Sequence, residues 1–188
     1  MSEPVTRIRQ HPERAVPEEA AEILAAAHVA HVGFVVDGQP YVIPFSYHFD
    51  PARPDRLYLH GSLTGRALNA LAGGAPACVA VSLVDGLVAS KSAMDHSMNY
   101  RSAVCFGRAR AITGAEEKRE IFHGMIARYF EGREPGLDYA PAPERHLDAT
   151  ALVELRIESV TAKARRGGPR GPHDSDPGYP GSAGVHPA

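Results

Sequence analysis

The sequence predicts a mainly β chain with peripheral helices, folded as one antiparallel barrel or sandwich. About six runs of apolar or alternating residues read as strands. Asp37-Gly38 and Asp85-Gly86 read as tight hairpin turns. The early strands lie too close in sequence for the helical crossovers that a parallel sheet needs. With 188 residues and 44% hydrophobic content, the chain can bury the core of a single domain.

Each element has its own signal. Residues 1–16 are polar and broken by Pro4 and Pro12, an extended arm ahead of a domain over residues 17–165. Pro17-Glu18-Glu19 opens a helix to about Ala27, with proline in the first turn and acids at its positive end. His31–Val36 and Tyr41–Phe49 form a hairpin, with Pro44 at an edge or bulge. Arg56–His60 is a strand. A helix follows over about 65–72, capped by Thr64 and ended by Gly73-Gly74. Ala77–Val84 is a strand, and Asp85-Gly86 turns it into Leu87–Ser90. A long strand runs from Tyr100 to Thr113, with Gly107 marking a bulge or close packing. Ala115–Tyr129 carries Ile121, Met125 and Ile126 on one stripe of a helix. Residues 131–149 read as a loop and Thr150–Glu158 as the last strand. Arg166–Ala188, with six Gly and five Pro, reads as a disordered tail.

The net charge of -2 excludes a chain built to coat nucleic acid or an anionic membrane. No apolar run approaches the ~18 residues of a membrane span. Met1-Ser2-Glu3-Pro4 has no secretory pattern, so the expected compartment is the cytoplasm. Cys78 and Cys105 sit in apolar runs, which suits buried free thiols. His28 and His31 have no companion ligand nearby to complete a metal set, and no metal is expected. Asp95-His96-Ser97 lacks the nucleophile elbow of a hydrolase.

The strongest chemical signal is the strand-to-helix junction Leu57–Leu71. Ser62 and Thr64 bring hydroxyl donors, Gly61 and Gly65 let an anion approach the backbone, and Arg66 brings a fixed positive fork. An ordinary capped helix would carry the same residues.

Four pieces taken together carry a resemblance: Val42-Ile43-Pro44-Phe45-Ser46-Tyr47; Leu57–Ser62 with Gly65-Arg66; Asn99–Ala109; and Thr113–Lys118. In this order and spacing, residues 18–165 resemble the FMN-binding split-barrel proteins related to pyridoxamine 5'-phosphate oxidase. The nearest branch is that of the 5-nitroimidazole-resistance and flavin-nucleotide-binding proteins. The resemblance implies a six-stranded antiparallel Greek-key barrel, a homodimer, and FMN in a groove at the dimer interface. It assigns the phosphate end to Ser62, Thr64, Gly65 and Arg66. It lays the Val42–Tyr47 strand (Val42, Ile43, Pro44 and Tyr47) along the flavin ring, and closes the site with Tyr100, Arg101 and Ser102. Arg101 can equally pair with an internal carboxylate. Lys163 can reach the partner's cofactor or belong to a solvated basic segment. His60, beside Gly61, is the catalytic candidate, since imidazole titrates near neutral pH; a hydrogen-bonded histidine at a strand end is its bland alternative.

The implied function is an FMN-dependent oxidoreductase. It would take reducing equivalents from NAD(P)H or another donor and pass them to a small electrophilic acceptor such as a nitroaromatic. The alternative is a carrier or sensor of flavin, deazaflavin or haem on the same fold. Pyridoxamine phosphate oxidation itself fits less well. That branch completes its substrate site with a C-terminal segment bearing paired arginines and a tryptophan, and this chain has no tryptophan.

Overall fold

The structure, a computed structural model, describes residues 7–188. A 3-10 turn at Pro17–Glu19 leads into α1 (Ala20–Ala26), which buries Ala20, Ile23 and Leu24. β1 (Val29–Val36) and β2 (Gln39–His48) form the first hairpin. Its corner residues Asp37 and Gly38 have φ of 50° and 79°, the left-handed pair that a two-residue loop demands. β3 (Arg56–Ser62), α2 (Arg66–Ala72), β4 (Pro76–Ala89), β5 (Ser97–Ala111), α3 (Ala115–Tyr129), α4 (Glu144–Asp148), β6 (Thr150–Arg165) and β7 (Gly184–Pro187) complete the chain.

The strand order is β1-β2-β3-β6-β5-β4, and β1 pairs back onto β4, so six antiparallel strands close a ring with β7 outside β4. Placing β6 between β3 and β5 gives the Greek-key order. The ring has a split. β2 meets β3 only through Tyr47–Leu59 and His48–Tyr58, so among the described residues the second edge of β2 from Gln39 to Ser46 has no strand partner. Among the described residues no helix is long and apolar enough to cross a membrane.

Two apolar clusters hold the fold. Inside the ring, Val32, Tyr47, Leu57, Leu59, Val79, Val81, Cys105 and Leu155 are buried, with α1 and α2 packed against them. Burial pushes the Cys105 thiol up to about 12, so it is an inert core residue. Outside, Tyr58, Ile112, Ile121 and Leu152 join with Phe122 to seat α3 on the outer face of β3 and β6. The far end of α3 is tied by Arg128. Its guanidinium donates to the carbonyls of Leu24, Ala25, Ala27 and Tyr47 and lies 4.3 Å from the Tyr47 ring centroid. At Gly107 the β5–β6 register shifts, and this bulge sets which residues beyond it face α3.

Several expectations are corrected. Asp85-Gly86 is not a turn: β4 runs through it with a bulge, and Asp85 is held by Arg101. β6 continues to Arg165, because Ser159–Arg165 pair with β5 beyond the bulge. Gly65, not Thr64, is the N-cap of α2. The loop 131–149 contains α4. Residues 166–188 are an ordered strap rather than a disordered tail: β7 pairs with β4, and the Asp174 carboxylate accepts from Ser90 Oγ at 2.9 Å and Lys91 N at 2.7 Å. Residues 1–6 of the expected arm lie outside the described residues. Its remainder packs on β6, where Val16 N donates to Ala162 O.

Candidate functional site

The Ser62–Arg66 junction has the form of a small polar corner. Gly65 N donates to Ser62 O at 2.9 Å, and Thr64 N to Ser62 Oγ at 3.2 Å. The Ser62 and Thr64 hydroxyls, 3.0 Å apart, are both exposed. A side chain at Gly65 would bring Cβ to 3.0 Å from Ser62 O, so it would push the corner open by a few tenths of an ångström. At Gly61 a Cβ would meet Leu68 Cδ1 at 3.1 Å, so α2 sits directly on the end of β3. Arg66 is exposed and stacks over the Tyr41 ring at 4.7 Å; among the described residues no carboxylate pairs with it. Two hydroxyls and an acid-free guanidinium on one corner form a donor set for phosphate.

The split supplies the second ingredient. Val42, Pro44 and Ser46 are exposed along β2, with Val42 at 68%, while Ile43 packs against the core. The free strand edge offers backbone donors and acceptors beside an apolar surface. Tyr47 does not belong to it. Its ring is fully buried, its hydroxyl donates to Leu24 O at 2.5 Å, and its backbone N and O both bond Tyr129 Oη. The alternation that exposes Val42 and Pro44 turns Tyr47 inward.

The remaining expected residues form a separate group. Arg101 makes a forked pair with Asp85, at 2.7 Å from Nη2 to Oδ1. Ser102 Oγ donates to Lys163 O at 3.3 Å and Lys163 Nζ to Gln10 O at 2.7 Å, in a cleft beneath the N-terminal arm. Tyr100, on the same strand, pairs with Val84 and Arg165. Within one chain no hydrogen bond or ion pair among the described residues links this group to Ser62–Arg66.

His60 faces the outer side of β3, away from the barrel core. It lines a cavity of about 340 Å³ shared with Phe122, Met125, Ile126, Ala142, His146 and Leu147. A second hollow beside it shares Phe122, Ile126, Ala142 and Leu147 and is walled by Tyr139 and Pro141. The His60 ring meets Phe122 edge-on at 5.4 Å. Among the described residues its buried Nδ1 has no hydrogen-bond partner, and burial alone lowers its pKa, so the imidazole is held neutral. A neutral ring with an orphaned nitrogen in an apolar cavity is poised as a ligand or hydrogen-bonding group.

Three residues here escaped the sequence reading. His146 is brought to the cavity by α4. Lys118 is 7% exposed and donates to Leu147 O and Thr150 O. His48 stacks on Tyr58 at 5.8 Å, and burial first, then the Arg128 charge, lowers its pKa. One signal for His48 was available. Gly124 lies mid-helix, where glycine costs stability, and a Cβ there would come within 2.7 Å of His48 Nε2.

Comparisons with known proteins agree with this architecture. The family model described as pyridoxamine 5'-phosphate oxidase matches residues 17–164. The flavocytochrome Anf3 of Azotobacter vinelandii superposes with a TM-score of 0.80 and 32% identity, covering 97% of this chain and 83% of that one. An FAD- and haem-binding protein of Mycobacterium smegmatis gives 0.81 and 31%, over 93% and 84%. A candidate 5-nitroimidazole antibiotic resistance protein of Bacteroides thetaiotaomicron shares the fold at 0.64 and 24%, over 80% and 86%. No curated protein matches the chain. Strand order, split and family match lead to one assignment: this is a flavin-type split barrel, and the chain belongs to the pyridoxamine 5'-phosphate oxidase family.

Proposed function

We propose that the protein is a flavin-dependent oxidoreductase that also holds a haem, with a homodimer as its working form. The carrying observation is the apolar cavity that presents both His60 and His146, in a chain 32% and 31% identical to a flavocytochrome and to an FAD- and haem-binding protein. The flavin belongs at the split. Ser62, Thr64 and Arg66 suit the phosphate that FMN, the expected flavin, shares with FAD, and the bare β2 edge at Val42–Ser46 suits the polar rim of the ring. His60 and His146 are the iron-ligand candidates, and the apolar walls beside them would suit a haem. A bound flavin supplies two-electron acceptance and one-electron donation, and a haem supplies one-electron and O₂ chemistry. The residues of this chain would hold both groups, and burial keeps His60 unprotonated. Val29, Val35 and Val42 leave an exposed apolar face on the β1–β2 hairpin, which a second copy would cover.

A second reading keeps the flavin and gives the His60 cavity to a small electrophilic acceptor, reduced at the expense of NAD(P)H. His60 would then orient the acceptor or hand over a proton. The observation in its favour is that His146, on the wall of the cavity, is exposed.

One experiment separates them. The purified protein, grown with haem precursor, is examined by absorbance, and released chromophores are weighed by mass spectrometry. Flavin bands together with a Soret band support the first reading. Flavin alone, with no uptake of added haemin, supports the second. No flavin bound or taken up rejects both.

A further inference from the structure

Lys118 is buried on α3, and among the described residues no carboxylate pairs with it. Taking an ammonium out of water is costly unless its protons are satisfied. Here Nζ donates to Leu147 O at 2.7 Å and to Thr150 O at 2.9 Å, the carbonyls that end α4 and start β6. Thr150 Oγ1 donates in turn to His146 O at 2.7 Å. α4 has five residues, too few to persist as a helix without outside support. Its other anchor is Leu147, whose side chain is buried. The segment therefore stays where it is because a cation from α3 gathers its last carbonyls.

We infer that Lys118 is a positioning residue that fixes α4, and with it His146, across the cavity from His60. The part played by His146 rests on the haem reading above; the hold on α4 does not. A cation bound to carbonyls suits this task. The strength of the bond follows from charge and backbone dipoles at the negative end of a helix, without an acid that could compete for iron or lose its charge. An aliphatic side chain of similar length would fill the volume and lose the grip.

The test uses full-length protein with Lys118→Met, Lys118→Gln and His146→Ala. Amide hydrogen exchange is measured before any ligand is added. Residues 144–150 should exchange at least about tenfold faster in Lys118→Met, with barrel amides unchanged and Lys118→Gln in between. Haemin is then titrated into each protein. The wild type should give a low-spin spectrum of two nitrogen ligands, and Lys118→Met and His146→Ala should both shift toward high spin. Unchanged exchange over 144–150 in both Lys118 variants overturns the inference, as does a low-spin spectrum for Lys118→Met identical to wild type. If Lys118→Met fails to fold, Lys118→Gln carries both readouts. Should wild-type protein refuse haemin, the haem reading falls, and the exchange data alone decide the role of Lys118.

Discussion

Gly107→Ala is a severe test of the barrel, because the clash it creates cannot be relieved by a rotamer. An alanine Cβ would sit 1.9 Å from Arg156 O and 3.2 Å from Leu155 Cδ2. Carbon–oxygen contacts between strands settle at about 3.3–3.6 Å, so β5 and β6 would have to part by roughly 1.5 Å at the bulge. Losing about two ladder bonds costs roughly 1 kcal/mol each, and overpacking adds about 1–3 kcal/mol. The smaller entropy of the unfolded alanine chain returns about 1 kcal/mol. The net is a loss of about 2–4 kcal/mol. With a urea m-value near ~2 kcal/mol/M, the midpoint should fall by about 1–2 M. The bulge also sets the facing of Arg110 and Ile112, so residual folded protein should show weakened α3 packing in its near-ultraviolet dichroism. A midpoint that stays put or rises would refute the reading of this strand contact.

Three further outcomes are expected. Arg66→Ala should weaken flavin binding by about 1.5–3 kcal/mol, the worth of a charge-assisted hydrogen bond; equal affinity by fluorescence titration would remove Arg66 from the phosphate site. His60 and His48 bind protons less well folded than unfolded, so the unfolded chain takes up more protons below its usual histidine pKa of about 6.5. Stability should therefore drop as pH falls from 7.5 to 5.5, and by less in His60→Gln; identical urea midpoints for wild type at the two pH values would contradict this. Deleting residues 166–188 removes β7 and the Asp174 bonds to β4, and should lower Tm by about 4–10 °C. An unmoved Tm would mean that the strap contributes nothing.

Local chemistry explains what the sequence made legible. Asp37-Gly38 and the alternation of β1 are near-neighbour signals, and the hairpin they specify is present. The corner at Ser62–Arg66 was readable for the same reason: its parts are contiguous. Asp85-Gly86 misled because the same dipeptide serves a bulge when a distant partner, Arg101, takes the carboxylate. The Gly- and Pro-rich tail looked too polar to order itself, and pairing with β4 supplies the partner that its own composition does not reveal. His146 and Lys118 were invisible as a pair, since a 28-residue separation is closed only by α3 and α4 meeting on the outer face of the barrel. Tyr47 was placed with its neighbours in a flavin strand, yet the alternation along β2 turns it inward, where Leu24 O accepts its hydroxyl and the Arg128 guanidinium covers its ring.

The insertion of β6 between β3 and β5 has a consequence for how the chain is made. Synthesis runs from the N-terminus, so every earlier strand emerges before the one that joins the two halves of the ring. A nascent chain that has reached α4 possesses β1, β2, β3, β4 and β5, but β3 and β5 each keep an edge that only β6 can cover. Bare edges are templates for pairing with other chains. A ribosome stalled short of Thr150 thus releases an adhesive open sheet rather than a smaller barrel, and the time taken to deliver the last stretch of strand sets the window in which the molecule needs protection from its neighbours.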